Sequence, residues 1–195
     1  MKVVIIDYGA GNIKSIQFAF QRLGVEAITS NNTDVIKAAD RIIFPGVGEA
    51  SSAMHEIKNC KLDKLIPNLE QPVLGICLGM QLMCHETEEG NTKGLDIFNT
   101  KVTRFKNTGK VPQMGWNKIY NLKSSLFNNI NESEYMYLVH SYYAHDCQQA
   151  IASSYYGLSY SIALRNNNFY GVQFHPEKSS KAGQQLLENF INIRK

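Results

Sequence analysis

The chain has 195 residues, of which 44% are hydrophobic and 19% are charged, and its formal net charge is +3 at pH 7. This size fits one domain with a sizeable core, and the composition excludes a disordered or fibrous chain. Because the net charge is small and no run of Lys or Arg exceeds two residues, a basic arm that would bind nucleic acid is excluded as well. We therefore expect one domain over residues 1–195.

The beginning of the chain is apolar for only a few residues before Asp7 interrupts the run. It lacks the apolar length and the small-residue cleavage site of a signal peptide, and no segment approaches the ~20 apolar residues of a membrane-spanning helix. The sequence contains four cysteines without a CxxC pair: Cys60, Cys77, Cys84 and Cys147. This pattern is typical of a reducing compartment, so we expect a cytoplasmic protein with no membrane partner.

Short β-rich runs alternate with helical patterns in the first half of the chain. Strands are predicted at residues 3–6, 25–28, 41–44 and 72–76. Helices are predicted at residues 13–23, 34–39, 49–57 and from 77 to about 85. Gly24 stands where the C-cap glycine of the first helix is expected. Strands that alternate with helices through short connections indicate a parallel sheet covered on both faces.

In the second half of the chain, β-rich runs follow one another with turn residues between them. Strands are predicted at residues 99–105, 116–120, 135–139, 151–155, 161–165 and 169–174. These strands either extend the first sheet or form a second, antiparallel layer. A last helix is predicted at residues 180–193, where the apolar residues fall on one face. The whole pattern predicts one α/β domain.

The most informative stretch is a buried strand, a G-x-C-x-G turn and a helix, centred on Cys77. A nucleophile on such a turn has a strained backbone, so the residues two before and two after it must be small; Gly75 and Gly79 occupy these places. The turn raises the sulfur at the carboxyl edge of the sheet, at a helix N-terminus that favours thiolate. Cys77 is therefore the candidate nucleophile, whereas Cys84, seven residues along the same predicted helix, is expected to pack in the core.

A thiolate that must also protonate a leaving amine needs a nearby acid–base group, which is usually histidine. Three of the five histidines are expected at the surface or in structural positions: His55, His85 and His145. His140 ends a predicted strand and could line a site. His175 is the strongest candidate because it ends the run 169–174, and because Glu177 two residues later can reach the far ring nitrogen. The spacing alone leaves an ordinary capped histidine as an open alternative.

Two of these motifs, residues 75–81 (GICLGMQ) and 174–177 (FHPE), resemble the class I glutamine amidotransferases. Five blocks in the right order further resemble the glutaminase subunits of imidazole glycerol phosphate synthase: residues 7–12, 45–48, 114–117, 139–142 and 171–179. This resemblance covers nearly the whole chain. It implies a flavodoxin-like α/β fold, with a mostly parallel central sheet, helices on both faces and an additional antiparallel β layer. It implies neither a cofactor nor a metal.

The resemblance implies a Cys-His-Glu triad that hydrolyses L-glutamine to glutamate and ammonia. Cys77 is expected to attack the side-chain carboxamide, and His175 to pass the thiol proton to the departing ammonia. Glu177 is expected to orient His175. Water then hydrolyses the glutamyl thioester, with His175 as the base.

The tetrahedral oxyanion of this reaction needs two N–H donors, and the loss of one typically costs about 3–4 kcal/mol. The resemblance implies that Leu78 supplies one donor and that Val47 or Gly48 supplies the other. Because glycines flank the second donor, we hypothesise that it turns into place only when a partner or its ligand arrives. Equal rates for the free protein and the liganded complex would contradict this gating. The substrate pocket is further expected to contain Gln81, His140, Ser141 and Tyr142.

Free ammonia escapes into water, so its producer is expected to dock on its consumer. The family forms a heterodimer with a (β/α)8-barrel cyclase subunit of histidine biosynthesis. The matching interface positions are Asn12, Trp116, Asn117, Tyr137 and Lys178. Trp116 suits an interface anchor, although a core position would explain it too. One departure is Gln113, where the family pattern P-H-M-G-W-N has histidine; we expect it to lie beside the interface.

Other interpretations stay open at this point. A paralogous subunit would supply ammonia for the amidination of surface sugars with a different partner. A stand-alone cysteine hydrolase would act without a partner and show no preference for glutamine. A flavodoxin-like regulatory module with a dead triad is disfavoured because the three triad residues are intact. A zinc site is disfavoured because the spacing of its potential ligands matches no closed four-ligand pattern: His140, His145, Cys147 and His175.

Overall fold

The computed structural model describes residues 1–106 and 109–193. Its strands, in chain order, are β1 (Val3–Ile6), β2 (Ala27–Ser30), β3 (Arg41–Phe44), β4 (Val73–Ile76), β5 (Cys84–Thr87), β6 (Thr92–Lys93), β7 (Phe98–Arg104), β8 (Gln113–Lys118), β9 (Tyr135–His140), β10 (Tyr142–Ala144), β11 (Ala150–Tyr155), β12 (Ser159–Asn166) and β13 (Phe169–Val172). Its helices are α1 (Ile13–Arg22), α2 (Thr33–Lys37), α3 (Ala50–Asn59), α4 (Leu62–Leu65), α5 (Leu78–Met83) and α6 (Ser180–Asn192). None of the helices in these ranges has the length and hydropathy that a membrane crossing requires.

Eleven of these strands form one mixed sheet, in which five parallel strands run in the order β2-β1-β3-β4-β13. Beyond β13 the sheet continues through antiparallel β12, β10 and β7 to β5 and β6, while β11 pairs with β12. β8 and β9 form a separate antiparallel pair. The predicted α/β fold is therefore confirmed, and both expectations for the later strands are met: most extend the sheet and two form a second layer.

Helices pack on both faces of the sheet, and each face has its own apolar cluster. Alternate side chains of each central strand enter different clusters, because successive residues of a strand point to opposite faces. Val3 and Ile5 of β1 join the cluster that contains α1 and α6, whereas Val4 and Ile6 join the cluster that contains α2 and α3. Burial of each such aliphatic side chain contributes about 1.5–3 kcal/mol. The buried central strands therefore fix the positions of the residues that follow their carboxyl ends.

The second strand begins two residues later than predicted, at Ala27. The end of α1 explains this difference. The N–H of Gly24, which has φ +71, donates to Gln21 O over 2.9 Å, and the N–H of Val25 donates to Phe20 O over 3.0 Å. These bonds form a Schellman motif, with the glycine at the predicted cap. Val25 is therefore needed to end the helix and does not enter the sheet.

The helix of the nucleophile turn is shorter than predicted, because it ends at Met83 and Cys84 begins β5. The carbonyl oxygens of Leu82 and Met83 accept hydrogen bonds from the N–H groups of Leu95 (2.8 Å) and Ile97 (2.9 Å), so a neighbouring segment replaces the donors that would extend the helix. Cys84 is fully buried as expected, but in a strand rather than on the helix. The short elements α4, β6 and β10 carry no periodic pattern and were not predicted.

The carboxyl ends of β4 and β13 lie side by side. The two strands pair in parallel with Ile76 opposite Val172. The N–H of Cys77 then donates to Val172 O over 2.8 Å, one residue beyond the last pair. The segments that follow these strands therefore start at the same edge of the sheet, which brings Cys77 close to His175.

Candidate active site

Cys77 lies on the sharp turn between β4 and α5. Its backbone has φ 54 and ψ −111, a region that costs a residue with a side chain about 1–3 kcal/mol. The cysteine is 7% exposed, and the fold tolerates the strained backbone because β4, α5 and β13 fix the residues on both sides. The predicted strand–turn–helix around the sulfur is confirmed.

Gly75 and Gly79 are required by space rather than by their backbone angles. A Cβ atom on Gly79 would stand 2.0 Å from Phe44 O of β3, and one on Gly75 would stand 2.4 Å from Met83 Cε and 3.0 Å from Met80 N. Real Cβ atoms do not approach neighbours so closely. The absence of both side chains lets the start of α5 rest directly on β3 and β4, and this contact holds Cys77 at the sheet edge.

His175 and Glu177 form a buried pair. The Nδ1–H of His175 donates to Glu177 Oε1 over 2.8 Å, and the two side chains are 3% and 1% exposed. The histidine backbone is held on both sides, because its N–H donates to Tyr137 O over 3.0 Å and its carbonyl oxygen accepts from the Ser179 hydroxyl over 2.7 Å. Glu177 lies on a single 3-10 turn, Pro176–Lys178. The carboxylate thereby fixes the tautomer, which leaves Nε2 for the cysteine.

The charge state of His175 follows from its neighbours. Burial by itself lowers the pKa of the imidazole, but hydrogen bonds to Cys77 and Glu177 and the negative charges of both raise that pKa from 6.5 to about 10. The second oxygen of the Glu177 carboxylate, Oε2, is buried and has no hydrogen-bond partner within residues 1–106 and 109–193. The arrangement therefore favours an imidazolium at neutral pH.

A cavity of about 330 Å³ opens over the sulfur. It is lined by Val47, Gly48, Cys77, Leu78, Gln81, Glu89, Pro112, Val139, His140, Ser141, Tyr142 and His175. The structure thus brings together all the residues expected to supply oxyanion donors or substrate contacts. Its volume suits a small polar molecule, and one end of it holds the nucleophile and the base.

The end of β3 forms the wall of the cavity that is expected to stabilise an oxyanion. Gly48 has φ +98, and Val47 is 41% exposed, so this segment is open to the cavity. The Tyr8 hydroxyl donates to Pro45 O over 2.7 Å and anchors the start of the segment. Burial and, to a smaller extent, the charge of Cys77 raise the pKa of this hydroxyl, so Tyr8 stays a neutral donor.

The opposite wall is organised around the carbonyl oxygen of Tyr142. This oxygen accepts a hydrogen bond from His140 Nδ1 over 2.7 Å and another from Gln81 Nε2 over 3.0 Å. Burial lowers the pKa of His140 to about 4. The hydrogen bond to Tyr142 raises this pKa, whereas the charge of His175 lowers it further. His140 is therefore a neutral, fixed part of the wall.

Glu89 is a cavity residue that was not predicted from the sequence. Its Oε2 accepts a hydrogen bond from the N–H of Ala50 over 3.0 Å. Burial raises the pKa of its carboxyl, the bond from Ala50 lowers it, and the charge of Glu49 raises it again, with a net increase. Residues 86–90 read E-T-E-E-G, and nothing in this acidic run distinguishes the glutamate that lines the cavity.

Most of the expected interface residues lie together on one face. Trp116 and Tyr137 stand opposite each other on β8 and β9, with ring centroids 6.0 Å apart, and Lys178 Nζ lies 5.9 Å from the centre of the Tyr137 ring. Trp116 is 52% exposed, so it is not a core aromatic. The amide of Asn117 points back into the protein, where it donates to Tyr155 O over 2.9 Å. Asn12 begins α1.

Gln113, which was expected beside the interface, lies inside the protein rather than at this face. It is 3% exposed, and its Oε1 accepts a hydrogen bond from the Tyr160 hydroxyl over 3.1 Å. The alternation of β8 is the reason, because Met114, the next residue, is the one that points outward and is 67% exposed. The departure from the family pattern is therefore a change inside the protein, close to the cavity wall formed by His140.

The other cysteines and histidines lie outside the cavity. His55 is exposed on α3, His85 bonds Asp96 over 2.7 Å at the surface, and His145 bonds the hydroxyl of Thr103 over 2.9 Å. Within the part of the chain that the structure describes, no group of three or more His, Cys, Asp or Glu side chains is arranged to hold a metal ion.

Similarity to known proteins was found over almost the whole chain. The sequence profile of the glutamine amidotransferase class-I family matches residues 4–193. The "Imidazole glycerol phosphate synthase subunit HisH" of Bacteroides fragilis is 51% identical over 99% of this chain and 100% of its own length. The protein of the same name from Haemophilus influenzae is 46% identical over 98% of this chain and 97% of its own length.

Solved structures have the same fold at much lower sequence identity. A glutamine amidotransferase superimposes with a TM-score of 0.76 and 16% identity, over 97% of this chain and 97% of its own. A glutamine amidotransferase from Thermotoga maritima superimposes with a TM-score of 0.64 and 16% identity, over 98% of this chain and 83% of its own. At such identities the likeness concerns the fold, and it agrees with the α/β architecture described above.

Proposed function

Because the chain belongs to the class I glutamine amidotransferases, we propose that it is the glutaminase subunit of an imidazole glycerol phosphate synthase, with a role in histidine biosynthesis. One observation carries the proposal: Cys77 and His175 line one cavity, and Glu177 bonds the histidine, in a chain that is 51% identical to a synthase subunit over 99% of its length. A stand-alone cysteine hydrolase would not account for this similarity, and the test with the cyclase below distinguishes the proposal from a sugar-pathway subunit.

The first half of the proposed reaction releases ammonia. The thiolate of Cys77 attacks the carboxamide carbon of glutamine, and a C–S bond forms. The imidazolium of His175 delivers its Nε2 proton to the nitrogen, the C–N bond breaks, and ammonia leaves. Glu177 keeps its hydrogen bond to Nδ1, so the ring exchanges protons only at the nitrogen that faces the substrate.

The second half regenerates the enzyme. His175, now neutral, takes a proton from water as the water attacks the thioester carbon. The C–S bond breaks, glutamate leaves, and the thiolate–imidazolium pair returns. Negative charge develops on the substrate oxygen in both halves, and the N–H groups of Leu78 and of Val47 or Gly48, which line the cavity, are proposed to stabilise it.

Glu89 is proposed to bind the α-ammonium group of glutamine, because it places a carboxylate in the cavity that also holds Cys77. We expect Glu89→Gln to raise the KM for glutamine about 10–100-fold with a much smaller change in kcat, since a hydrogen bond to a charged group typically contributes about 1.5–3 kcal/mol. Steady-state glutamate formation measures both constants. Glu86→Gln is the control, because Glu86 pairs with Lys101 outside the cavity. Equal KM values for the two variants would contradict the role of Glu89.

The ammonia is proposed to pass directly to a (β/α)8-barrel cyclase in the cytoplasm. The docking face is defined here as Met114, Trp116, Tyr137 and Lys178, an apolar surface with one cation at the side of the sheet that holds the triad. Exposed aromatic residues of this kind are typical anchors of protein interfaces. Residues 176–178 link the docking face to Glu177, since Lys178 lies next to it in sequence.

The proposed function is tested by mixing this protein with the cyclase and its nucleotide substrate. We expect glutamine to support the cyclase reaction only when both proteins are present, whereas ammonium salts support it with the cyclase alone. Trp116→Ala is expected to weaken the complex about 30-fold, because loss of a central aromatic anchor typically costs about 2 kcal/mol. Titration calorimetry measures the Kd.

Phe18→Ala is the control for the interface, because Phe18 is an aromatic residue of α1 that is 58% exposed and lies outside the docking face. It is expected to leave the Kd unchanged. An equal loss of affinity in both variants would contradict the docking face. Glutamine hydrolysis without any binding to the cyclase would favour the stand-alone hydrolase instead.

A further inference from the structure

Two side-chain amides, those of Gln81 and Gln173, form a series of hydrogen bonds between the Tyr142 wall of the cavity and the sulfur of Cys77. Gln173 is fully buried, and its Nε2 lies 3.7 Å from Cys77 Sγ. Its Oε1 accepts a hydrogen bond from Gln81 Nε2 over 2.8 Å, and the same nitrogen donates to Tyr142 O over 3.0 Å. No role was predicted for Gln173, because it stands inside a run that is typical of an ordinary strand.

The orientation of the two side-chain amides, those of Gln81 and Gln173, follows from the backbone carbonyl of Tyr142, with which the series of hydrogen bonds begins. The backbone carbonyl of Tyr142 can only accept a hydrogen bond, so the amide nitrogen of Gln81 must face it. The second N–H of that nitrogen then meets Gln173, which must present its oxygen. The nitrogen of Gln173 is left on the side of Cys77, and an N–H therefore points at the sulfur.

The backbone of Gln173 is fixed as firmly as its side chain. Its N–H donates to Ile162 O of β12 over 2.8 Å. The preceding residue, Val172, accepts the backbone N–H of Cys77, and the residue two positions later is His175. Residues 172–175 therefore bond the backbone of Cys77, contact its sulfur and carry the imidazole of the site.

We propose that Gln173 is a hydrogen-bond donor to the thiolate of Cys77, which stabilises this anion and directs it toward the substrate. This inference rests on the proposed function, in which the sulfur is the nucleophile. His175 also bonds the sulfur, but it must give its proton away during the reaction. A carboxamide has no proton to lose at neutral pH, so Gln173 keeps its bond to sulfur while His175 changes its charge. The bond is also stronger to a thiolate than to a thioester, and it favours the sulfur as leaving group in the second half.

Two variants separate the N–H donor from the packing of the side chain. Gln173→Met keeps a similar volume and flexibility but removes both amide groups. Gln173→Leu is a second apolar replacement that removes both amide groups but has a different shape, so it shows whether the effect depends on the shape of the new side chain. For both variants we expect alkylation of Cys77 by iodoacetamide at pH 7 to slow about tenfold or more, since hydrogen bonds to charged groups are among the stronger ones in proteins.

The pH profile of this alkylation is expected to move about one pH unit higher in both variants, in keeping with a tenfold loss. In the complex with the cyclase, kcat should fall about tenfold, while the KM for glutamine changes less than about threefold. Gln71→Met is the matched control, because Gln71 is another buried glutamine whose amide bonds only the backbone, at Ile36 O over 2.8 Å. Its alkylation profile and kcat should equal those of the wild type.

Wild-type alkylation and kcat in Gln173→Met and Gln173→Leu would overturn the proposal, because both variants lack the donor. A lower kcat with an unchanged pH profile of alkylation would assign Gln173 a packing role and would overturn it too. These outcomes differ from a failure of the proposed function, in which Cys77→Ala would still hydrolyse glutamine or wild-type protein would not.

Discussion

Replacement of Cys77 by alanine is expected to reduce glutamine hydrolysis at least about 10⁴-fold, because no thioester forms without the sulfur and water must attack the amide directly. The change removes one buried atom at a turn whose backbone is fixed by β4, α5 and β13, so we expect the fold to persist. Glutamate formation by the complex with the cyclase, at saturating glutamine, measures the loss.

Cys84→Ala is the matched control for this variant. Cys84 is a second buried cysteine in the adjoining segment, and its Sγ lies 3.5 Å from Met80 O without touching the cavity. It is expected to keep its turnover within a small factor of the wild type. The Cys77→Ala protein should also bind the cyclase with the Kd of the wild type in titration calorimetry, which shows that docking is intact. Persistent glutamate formation in Cys77→Ala would place the nucleophile elsewhere.

Replacement of His175 by alanine is expected to lower kcat about 10²–10⁴-fold, the usual contribution of a positioned acid–base group. The variant loses the proton donor for ammonia, the base for water and the cation that pairs with the thiolate. Single-turnover release of ammonia from the complex measures the effect. His55→Ala, on the exposed side of α3, is expected to have wild-type turnover, and unchanged turnover in His175→Ala would assign the base to another residue.

The raised pKa of His175 also predicts how the effect of His175→Ala on the free energy of unfolding depends on pH. The imidazole pKa is about 10 in the folded protein against 6.5 in the unfolded chain, so the folded state binds the proton more tightly. The stabilisation is therefore fully present below pH 6.5 and is lost as the pH rises through about 10. We expect the difference in the free energy of unfolding between wild type and His175→Ala to shrink from pH 6 to pH 10 in urea titrations. A difference that grows over this range would contradict the ion pair.

The triad could be predicted from the sequence because each member belongs to a local pattern. Gly75 and Gly79 mark the turn of the nucleophile, and Glu177 follows His175 at a distance that a single turn can close. What the residues alone did not supply is the pairing of β4 with β13, which joins segments from distant parts of the chain. The resemblance to a family filled this gap, and the structure shows the register behind it.

The rest of the cavity could not be predicted because it depends on which way side chains turn. Glu89 was one of several acids in a row, and its orientation is set by the N–H of Ala50 on another element. Gln113 was expected beside the interface, and the sequence did not reveal that the alternation of β8 turns its side chain inward. Gln173 looked like a strand residue, and only the orientation of Gln81 reveals which of its amide atoms meets the sulfur.

The parallel pairing of β4 with β13 also sets the order of events while the protein is being made. Gln173 follows Cys77 by 96 residues, and the base follows later still. When Cys77 emerges from the ribosome, the segment that follows β13 and carries Gln173 and His175 has not been synthesised. A growing chain therefore exposes Cys77 without these two partners. In the proposed reaction, glutamine can be hydrolysed only after this segment has joined the sheet.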